Sequence, residues 1–258
     1  MATWNILATS YIRREFYPQT PPEFLDPAWR VPALARRAAE LAADILCLQE
    51  VEADAFAAIR DALGPEGYEG LYARKAHRRP DGCATFFRTA RFTLTGERRI
   101  VYADGNGGRD SGHIAQLLLL EHDGRRLGIL NTHLKWDQPG TNREDQWSYR
   151  QILLALSALN QAGPLDGRVL CGDFNVTPES GVIKALRAAG MDYAHRSCPG
   201  IATCNSNRQA KLIDYVFFSG ALRATPICPP PIGNDTVLPS PDEPSDHLPL
   251  LTELELAR

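Results

Sequence analysis

Arg168-Val169-Leu170-Cys171-Gly172-Asp173-Phe174-Asn175 is a largely apolar run that ends on an acid and an amide. Residues Arg168–Phe174 read as a buried strand, since a short apolar run bounded by turn formers suits a strand better than a helix. Helical patterns flank it at about Arg143–Asn160 and Pro178–Ala189. Thr177 is placed to cap the second of these and Gly190 to stop it. Helix, strand and helix in succession mark an α/β fold.

The same alternation extends in both directions. Towards the N-terminus, Pro32–Ala43 reads as a helix opened by its proline, Asp44–Val51 as a buried strand, and about Ala53–Leu63 as a second helix stopped at Gly64-Pro65. Strands follow at Cys83–Arg88, Arg91–Thr95, Arg98–Tyr102, Ile114–Glu121 and Leu127–Leu134, the last two joined by an Asp123-Gly124 hairpin turn. Leu212–Phe218 and Leu248–Leu256 complete the strands, and the proline-rich Pro226–Pro244 reads as a long surface loop. No repeat or low-complexity linker divides the chain. The pattern predicts one domain over 1–258, built from two packed, mixed, mostly antiparallel sheets flanked by helices.

Composition narrows the function. With 28 Lys+Arg against 31 Asp+Glu the 258-residue chain carries a formal charge of −3. A protein that coats duplex DNA needs a broad basic face, so any phosphate chemistry here belongs at a compact site. No apolar stretch reaches the roughly 18 residues of a membrane span. The N-terminus has no basic, then apolar, leader pattern, so no signal peptide is expected. Six cysteines form no C-x-x-C pair, and Cys47, Cys83 and Cys171 lie in apolar runs. They are expected to be free core thiols, which points to a reducing, cytoplasmic compartment.

Polar residues inside apolar strands carry the chemical signal, because burying them is costly without partners or ligands. They are Asn5, Glu50, Asn131, His133, Asp173, Asn175, Asp214, Asp246 and His247, nearly all where a strand meets a loop. Singly, each has a structural explanation: Asp173 as a turn former, Glu50 as a helix cap, His247 as a satisfied half-buried imidazole. Converged at one edge they would make a cleft of four carboxylates, amides and two histidines, a donor set for Mg²⁺ or Mn²⁺ more than for zinc.

Trp4-Asn5-Ile6-Leu7, Leu48-Gln49-Glu50-Val51, Asn131-Thr132-His133-Leu134, Gly172-Asp173-Phe174-Asn175, Ile213-Asp214-Tyr215 and Ser245-Asp246-His247 occur in this order. In that order they resemble the motif set of the endonuclease/exonuclease/phosphatase superfamily. Pro80-Asp81-Gly82-Cys83-Ala84 and Leu238-Pro239-Ser240 resemble its nocturnin and carbon-catabolite-repression deadenylase branch. The resemblance spans about Thr3 to Leu251. It implies a four-layer α/β/β/α sandwich and a Mg²⁺-dependent phosphoesterase, with Mn²⁺ as a possible substitute.

Carried over residue by residue, the resemblance makes Glu50 the main metal ligand, with Asn5 beside it and Asp246 binding directly or through water. Asp173 would orient or deprotonate the attacking water, and Asn175 and Asn131 would hold the phosphate. His247 would hydrogen-bond the phosphate or act as acid/base, His133 would stabilise developing charge, and Asp214 would position a second metal or a histidine.

For the substrate, Arg78 and Arg79 in the Arg74–Arg79 run are candidate phosphate clamps, against the alternative of a solvated loop. Lys135 matches a lysine of nocturnin-like proteins, and two residues from His133 it reaches the same cleft. Phe174 is a candidate wall. Trp136, Trp147 and Tyr149 are candidate stacking residues, with core packing the alternative for the last two. The expected substrate is a nucleotide or short single-stranded nucleic acid, cleaved by a 3′-exoribonuclease or a nucleotide 2′-phosphatase. The alternatives are a DNA nuclease, an inositol-phosphate phosphatase, or a non-catalytic binding module. No membrane and no obligate protein partner is implied.

Overall fold

The computed structural model describes residues 1–105 and 107–257. The first half of the chain runs β1 (Ala2–Asn5), α1 (Pro27–Glu40), β2 (Ile45–Val51), α2 (Ala53–Leu63), β3 (Tyr68–Arg74), β4 (Gly82–Arg88), β5 (Thr93–Val101), β6 (Ile114–His122) and β7 (Arg125–His133). It continues with α3 (Trp147–Asn160), β8 (Gly167–Asp173), α4 (Gly181–Ala188), β9 (Asp192–Tyr193), β10 (Cys204–Ser206), β11 (Gln209–Lys211), β12 (Asp214–Gly220), β13 (Leu222–Ile227) and β14 (Leu250–Leu256).

Two sheets of six strands form, in the orders β13-β14-β1-β2-β4-β3 and β5-β6-β7-β8-β12-β9, with β10-β11 as a separate hairpin. β1–β2 and β7–β8 are parallel and the other pairs antiparallel. Strand alternation builds the layers. On β2, Leu46 and Leu48 face α1 and α2, where they meet Leu34, Ala38 and Ile59. Ile45 and Cys47 point the other way, into a core shared with Ile129, Val169 and Cys171 of the second sheet. On the far side Leu130 and Leu170 pack with Ile152, Leu159, Val182 and Leu186 of α3 and α4. The order is therefore helices, sheet, sheet, helices, as the sequence predicts.

Several local readings change. α1 begins at Pro27, with Asp26 accepting the Ala28 N–H at 2.8 Å, and Pro32 lies inside it. Asp26-Pro27 supplies both a cap and a first-turn proline, so Pro32 loses one ladder bond in an already nucleated helix. α4 starts after Ser180, whose hydroxyl accepts from the Ile183 N–H at 3.3 Å; Thr177 does not cap it. Arg91–Thr95 and Arg98–Tyr102 merge into β5, which passes Gly96 on a bulge. β3 and β13, both edge strands, have no counterpart in the sequence reading.

The cysteines also divide. Cys47, Cys83, Cys171 and Cys204 are free and buried, but Cys198 and Cys228 form a disulfide with Cα atoms 5.7 Å apart. Both lie in loops, 30 residues apart, so only the packing of those loops brings them together. The compartment inferred from six free thiols loses that support. No helix among the described residues is long and apolar enough to cross a membrane.

Candidate active site

The strand ends converge because of register. β7 and β8 pair with His133 opposite Asp173, and β12 pairs with β8 so that Asp214 is opposite Asp173. Asn5 ends β1 beside Gln49, one residue before Glu50. Glu50 has φ +56°, at an irregularity in the β2–β4 pairing, and this strained turn swings its carboxylate out of the pleat. The Ala8 N–H then donates to Glu50 Oε2 at 2.9 Å.

Asn5 links the two sheets. Its Nδ2 donates to Glu50 Oε1 at 3.1 Å and to Asp173 Oδ2 at 2.9 Å, while its Oδ1 accepts the Leu7 N–H at 2.9 Å. Its nitrogen faces the two carboxylates and braces them, while its oxygen faces the Leu7 N–H. Trp4, fully buried beside it, donates its indole N–H to the His247 carbonyl at 2.9 Å and ties the last loop down. Arg30 of α1 is also fully buried, and it donates to the carbonyls of Ile6, Leu7 and Pro244 at 2.7 to 2.9 Å. These bonds fix both loops that frame Asp246.

Two histidines flank Asp173. His133 Nε2 lies 3.7 Å and His247 Nε2 3.8 Å from Asp173 Oδ2. Burial, then the Lys75 ammonium, holds His133 well below the usual imidazole range, so it is neutral. Burial opposes the His247 cation too, but Asp214, with Cys204 and Asp246, outweighs it and raises His247 well above that range. Its Nδ1 meets Asp214 Oδ2 at 2.9 Å, and that oxygen also accepts from Thr203 Oγ1 at 2.6 Å. Burial and the neighbouring Asp214 raise Asp173 to about 7, and burial raises Glu50 against the pull of Lys75.

The donor atoms of Glu50, His133 and Asp173 lie within 4.8 Å of one another, as do those of Asp173, Asp214 and His247, and those of Cys204, Asp246 and His247. Tyr17 donates to Asp246 Oδ2 at 2.9 Å, whereas Asp246 Oδ1 and Asp214 Oδ1 are buried without a hydrogen-bond partner. Unpartnered buried carboxylate oxygens are what a divalent cation satisfies, and the oxygen-rich donor set fits one. These groups are positioned for a divalent metal.

Other sequence candidates sit elsewhere. Asn131 is fully buried between the sheets. Its Nδ2 donates to the carbonyls of Leu48 and Ala84 at 3.0 Å, and its Oδ1 accepts from Gln49 at 2.8 Å, so no group is left for phosphate. Phe174 is no wall: alternation with Asp173 turns it to the helix side, fully buried, with its ring centroid 5.2 Å from that of Tyr215. Asn175 stays at the cleft, its Nδ2 3.0 Å from His133 Nε2 and donating to the Leu134 carbonyl. Lys135 rests its ammonium 3.9 Å above the Trp147 ring. Arg79 is half-buried and bonded to the Ser111 carbonyl, and Arg78 is exposed.

The sequence reading counts Lys75 only as one cation of the Arg74–Arg79 run, not as a buried partner of His133. Lys75 is buried, bonds Asp81 Oδ2 at 2.6 Å, and brings its ammonium to 3.3 Å from His133 Nδ1. Tyr11 closes the group by donating to Asp81 Oδ1 at 2.6 Å. The available signal was alternation, since Ala73 and Lys75 share a face, but it needs β3 to be recognised first.

A family model described as the Endonuclease/Exonuclease/phosphatase family matches residues 2–247. The chain belongs to this family. As a member of the endonuclease/exonuclease/phosphatase family it is a phosphoester hydrolase, a class that includes nucleases and phosphatases. It is 28% identical to carbon catabolite repressor protein 4 homolog 4 of Arabidopsis thaliana, over 100% of this chain and 78% of that protein. Several other curated relatives are longer, and the chain spans 63% or 35% of their length. The human nocturnin catalytic domain, solved with bound sulfate, matches at TM-score 0.73 and 26% identity, over 100% of this chain and 93% of that one. ANGEL2, described as a 2′,3′-cyclic phosphatase and solved with adenosine-2′,3′-vanadate, shares the fold at TM-score 0.84 and 22% identity, over 100% of this chain and 95% of that one.

Proposed function

We propose that this endonuclease/exonuclease/phosphatase family chain is a Mg²⁺-dependent phosphoesterase, with Mn²⁺ as a working substitute. Its substrates are nucleotides or short single-stranded nucleic acids, and 1–258 forms one catalytic domain. The observation that carries the reading is Asp173, a buried carboxylate held by Asn5 between a neutral His133 and a cationic His247.

Glu50 and Asp173, with Asp246 and Asp214 on the far side, would hold the cation. When bound, the ion neutralises phosphate oxygens and supplies Lewis acidity. The remaining chemistry belongs to the side chains. Asp173, a carboxylate beside the cation, is placed to orient an attacking water and accept its proton. His247, cationic, is placed to donate a hydrogen bond where negative charge grows on the phosphate, and the Asn175 amide steadies the His133 ring. Asp214 and Thr203 fix the His247 ring. Lys75 and Asp81 position His133 from behind. Arg79 and Lys135 line the approach with positive charge. The adenosine-2′,3′-vanadate held by ANGEL2 supports a nucleotide as substrate, and the sulfate held by the nocturnin catalytic domain supports a tetrahedral oxyanion.

The test is a substrate panel with Mg²⁺ and with Mn²⁺. It contains NADP, 2′,5′- and 3′,5′-linked oligoadenylates, 2′,3′-cyclic nucleotides, single-stranded DNA, abasic duplex DNA and bis-p-nitrophenyl phosphate. Metal-dependent turnover of single-stranded or mononucleotide substrates is expected. Glu50→Ala and Asp173→Ala should each lower it by about 10²-fold or more with the fold retained. Near-normal turnover in either folded variant, or hydrolysis of duplex DNA alone, would overturn the reading.

A further inference from the structure

β3 and β5 are the outermost strands of the two sheets, and a relay of arginines joins them. Arg99 of β5 donates its Nε to the Arg74 carbonyl at 2.7 Å. Arg74, at the end of β3, donates its Nε to the Arg79 carbonyl, also at 2.7 Å. Arg79 in turn holds the Ser111 carbonyl through Nε and Nη2, at 3.3 and 3.2 Å.

Each guanidinium is thus anchored along one edge by a neutral acceptor that leaves its charge uncompensated. Among the described residues no carboxylate comes within 4.0 Å of Arg74, Arg79 or Arg99; other arginines such as Arg98 and Arg143 also form no ion pair, and what joins these three is the chain of carbonyl contacts between them. Of the acids on the neighbouring segments, Asp81 is ion-paired with Lys75, while Asp104, Asp110 and Glu97 accept hydrogen bonds from Ser111, the Gly105 N–H and Gln116. Arg74 and Arg99 are exposed.

The relay begins at the cleft. Arg79 is two residues from Asp81, whose partner Lys75 touches His133. Arg99 pairs with Gln116, which pairs with Asn131, so it stands two strand spacings, about 10 Å, from the strand that ends in His133. In a chain of net charge −3, a pre-anchored cationic array leading out of a phosphoesterase cleft suits a polyanion. Anchored arginine forks bind successive phosphates with less ordering cost than free side chains do.

We propose that Arg79, Arg74 and Arg99, in that order outward, form a track for the phosphate backbone of a single-stranded nucleic acid. This rests on the nucleotide-phosphoesterase reading of the cleft and deepens it, because a track favours a strand over a mononucleotide.

The experiment uses the full chain and 5′-fluorescein-labelled oligoadenylates: a dinucleotide, a tetranucleotide and an octanucleotide. Binding is followed by anisotropy in EDTA, and turnover with Mg²⁺. The octanucleotide is expected to bind at least about 10-fold more tightly than the dinucleotide, with a steeper salt dependence. Arg99→Gln should weaken octanucleotide binding by about 3- to 10-fold and make the slope of log Kd against log salt shallower by about 0.7. Arg99→Lys should restore most of the loss, and both variants should hydrolyse bis-p-nitrophenyl phosphate at the parent rate. Affinity independent of length, or unchanged in Arg99→Gln, overturns the track. So does polyglutamate that displaces the octanucleotide as well as unlabelled oligonucleotide does. Absence of turnover on every substrate would instead overturn the phosphoesterase reading and leave the binding result in EDTA to stand alone.

Discussion

Two imidazoles a few ångströms from one carboxylate hold opposite charge states, and their neighbours explain it. His247 faces Asp214, while His133 faces the Lys75 ammonium. His113 lies behind His133, its ring edge-on to it at 5.9 Å, buried with Nδ1 unpartnered. Burial, reinforced by Lys75, Arg79 and Lys135, lowers it to about 2. An unfolded histidine titrates near 6.5, so the folded value is depressed. Its contribution to stability is therefore complete above about pH 6.5 and is lost progressively as pH falls towards about 2. His113→Gln, which does not titrate, should reduce the fall in Tm between about pH 7 and about pH 5. Parallel Tm-against-pH curves for variant and parent would refute the assignment.

At the level of the elements, the pairing of β7 with β8 sets the spacing of the reacting groups. Gly172 sits at φ +136°, and a Cβ there would lie 1.8 Å from the Thr132 carbonyl oxygen, one residue from both His133 and Asp173. Gly172→Ala must push the strands apart or twist them. A loss of about 3–4 kcal/mol is expected, seen as a Tm lower by about 10 °C, with activity falling as well. An alanine variant with the parent's Tm and turnover would show that the strands tolerate the shift. Element boundaries also governed how much of the site was legible. β8 and β7 are nearly continuous apolar runs, and their polar ends stood out. β3 is a half-exposed edge strand with no clean alternation, so it went unread, and with it the buried position of Lys75.

For the molecule as a whole, the site gathers several buried acids in a chain that is already net negative. Carboxylates packed this closely repel one another until a cation arrives, so the folded state should bind Mg²⁺ or Mn²⁺ and be stabilised by it. At about 100 times the dissociation constant the gain is about 2.7 kcal/mol, a rise of about 5–10 °C in Tm that EDTA should reverse. Glu50→Gln should shrink the rise. A Tm indifferent to metal and chelator in the parent protein would count against a metal site of this composition.

The sequence by itself determined the layered α/β architecture and the residue types of the site. Alternation assigns each strand its two faces, and polar groups at the ends of apolar strands demand partners. It placed Glu50, His133, Asp173, Asp214 and His247 at those ends, where the structure brings them together. Only the tertiary structure decided which polar residues face the cleft and which close the seam behind it. Asn131 and Asn175 both accompany a site residue two positions away, yet inter-sheet contacts with Leu48 and Ala84 bury the first. The Cys198–Cys228 bond, the Lys75–His133 contact and the Arg99–Arg74 link likewise depend on which loops and edge strands meet. Trp4 meets the His247 carbonyl across 243 residues of chain. Contacts of that kind arise from packing distant segments, and no local pattern of apolar and polar residues encodes them.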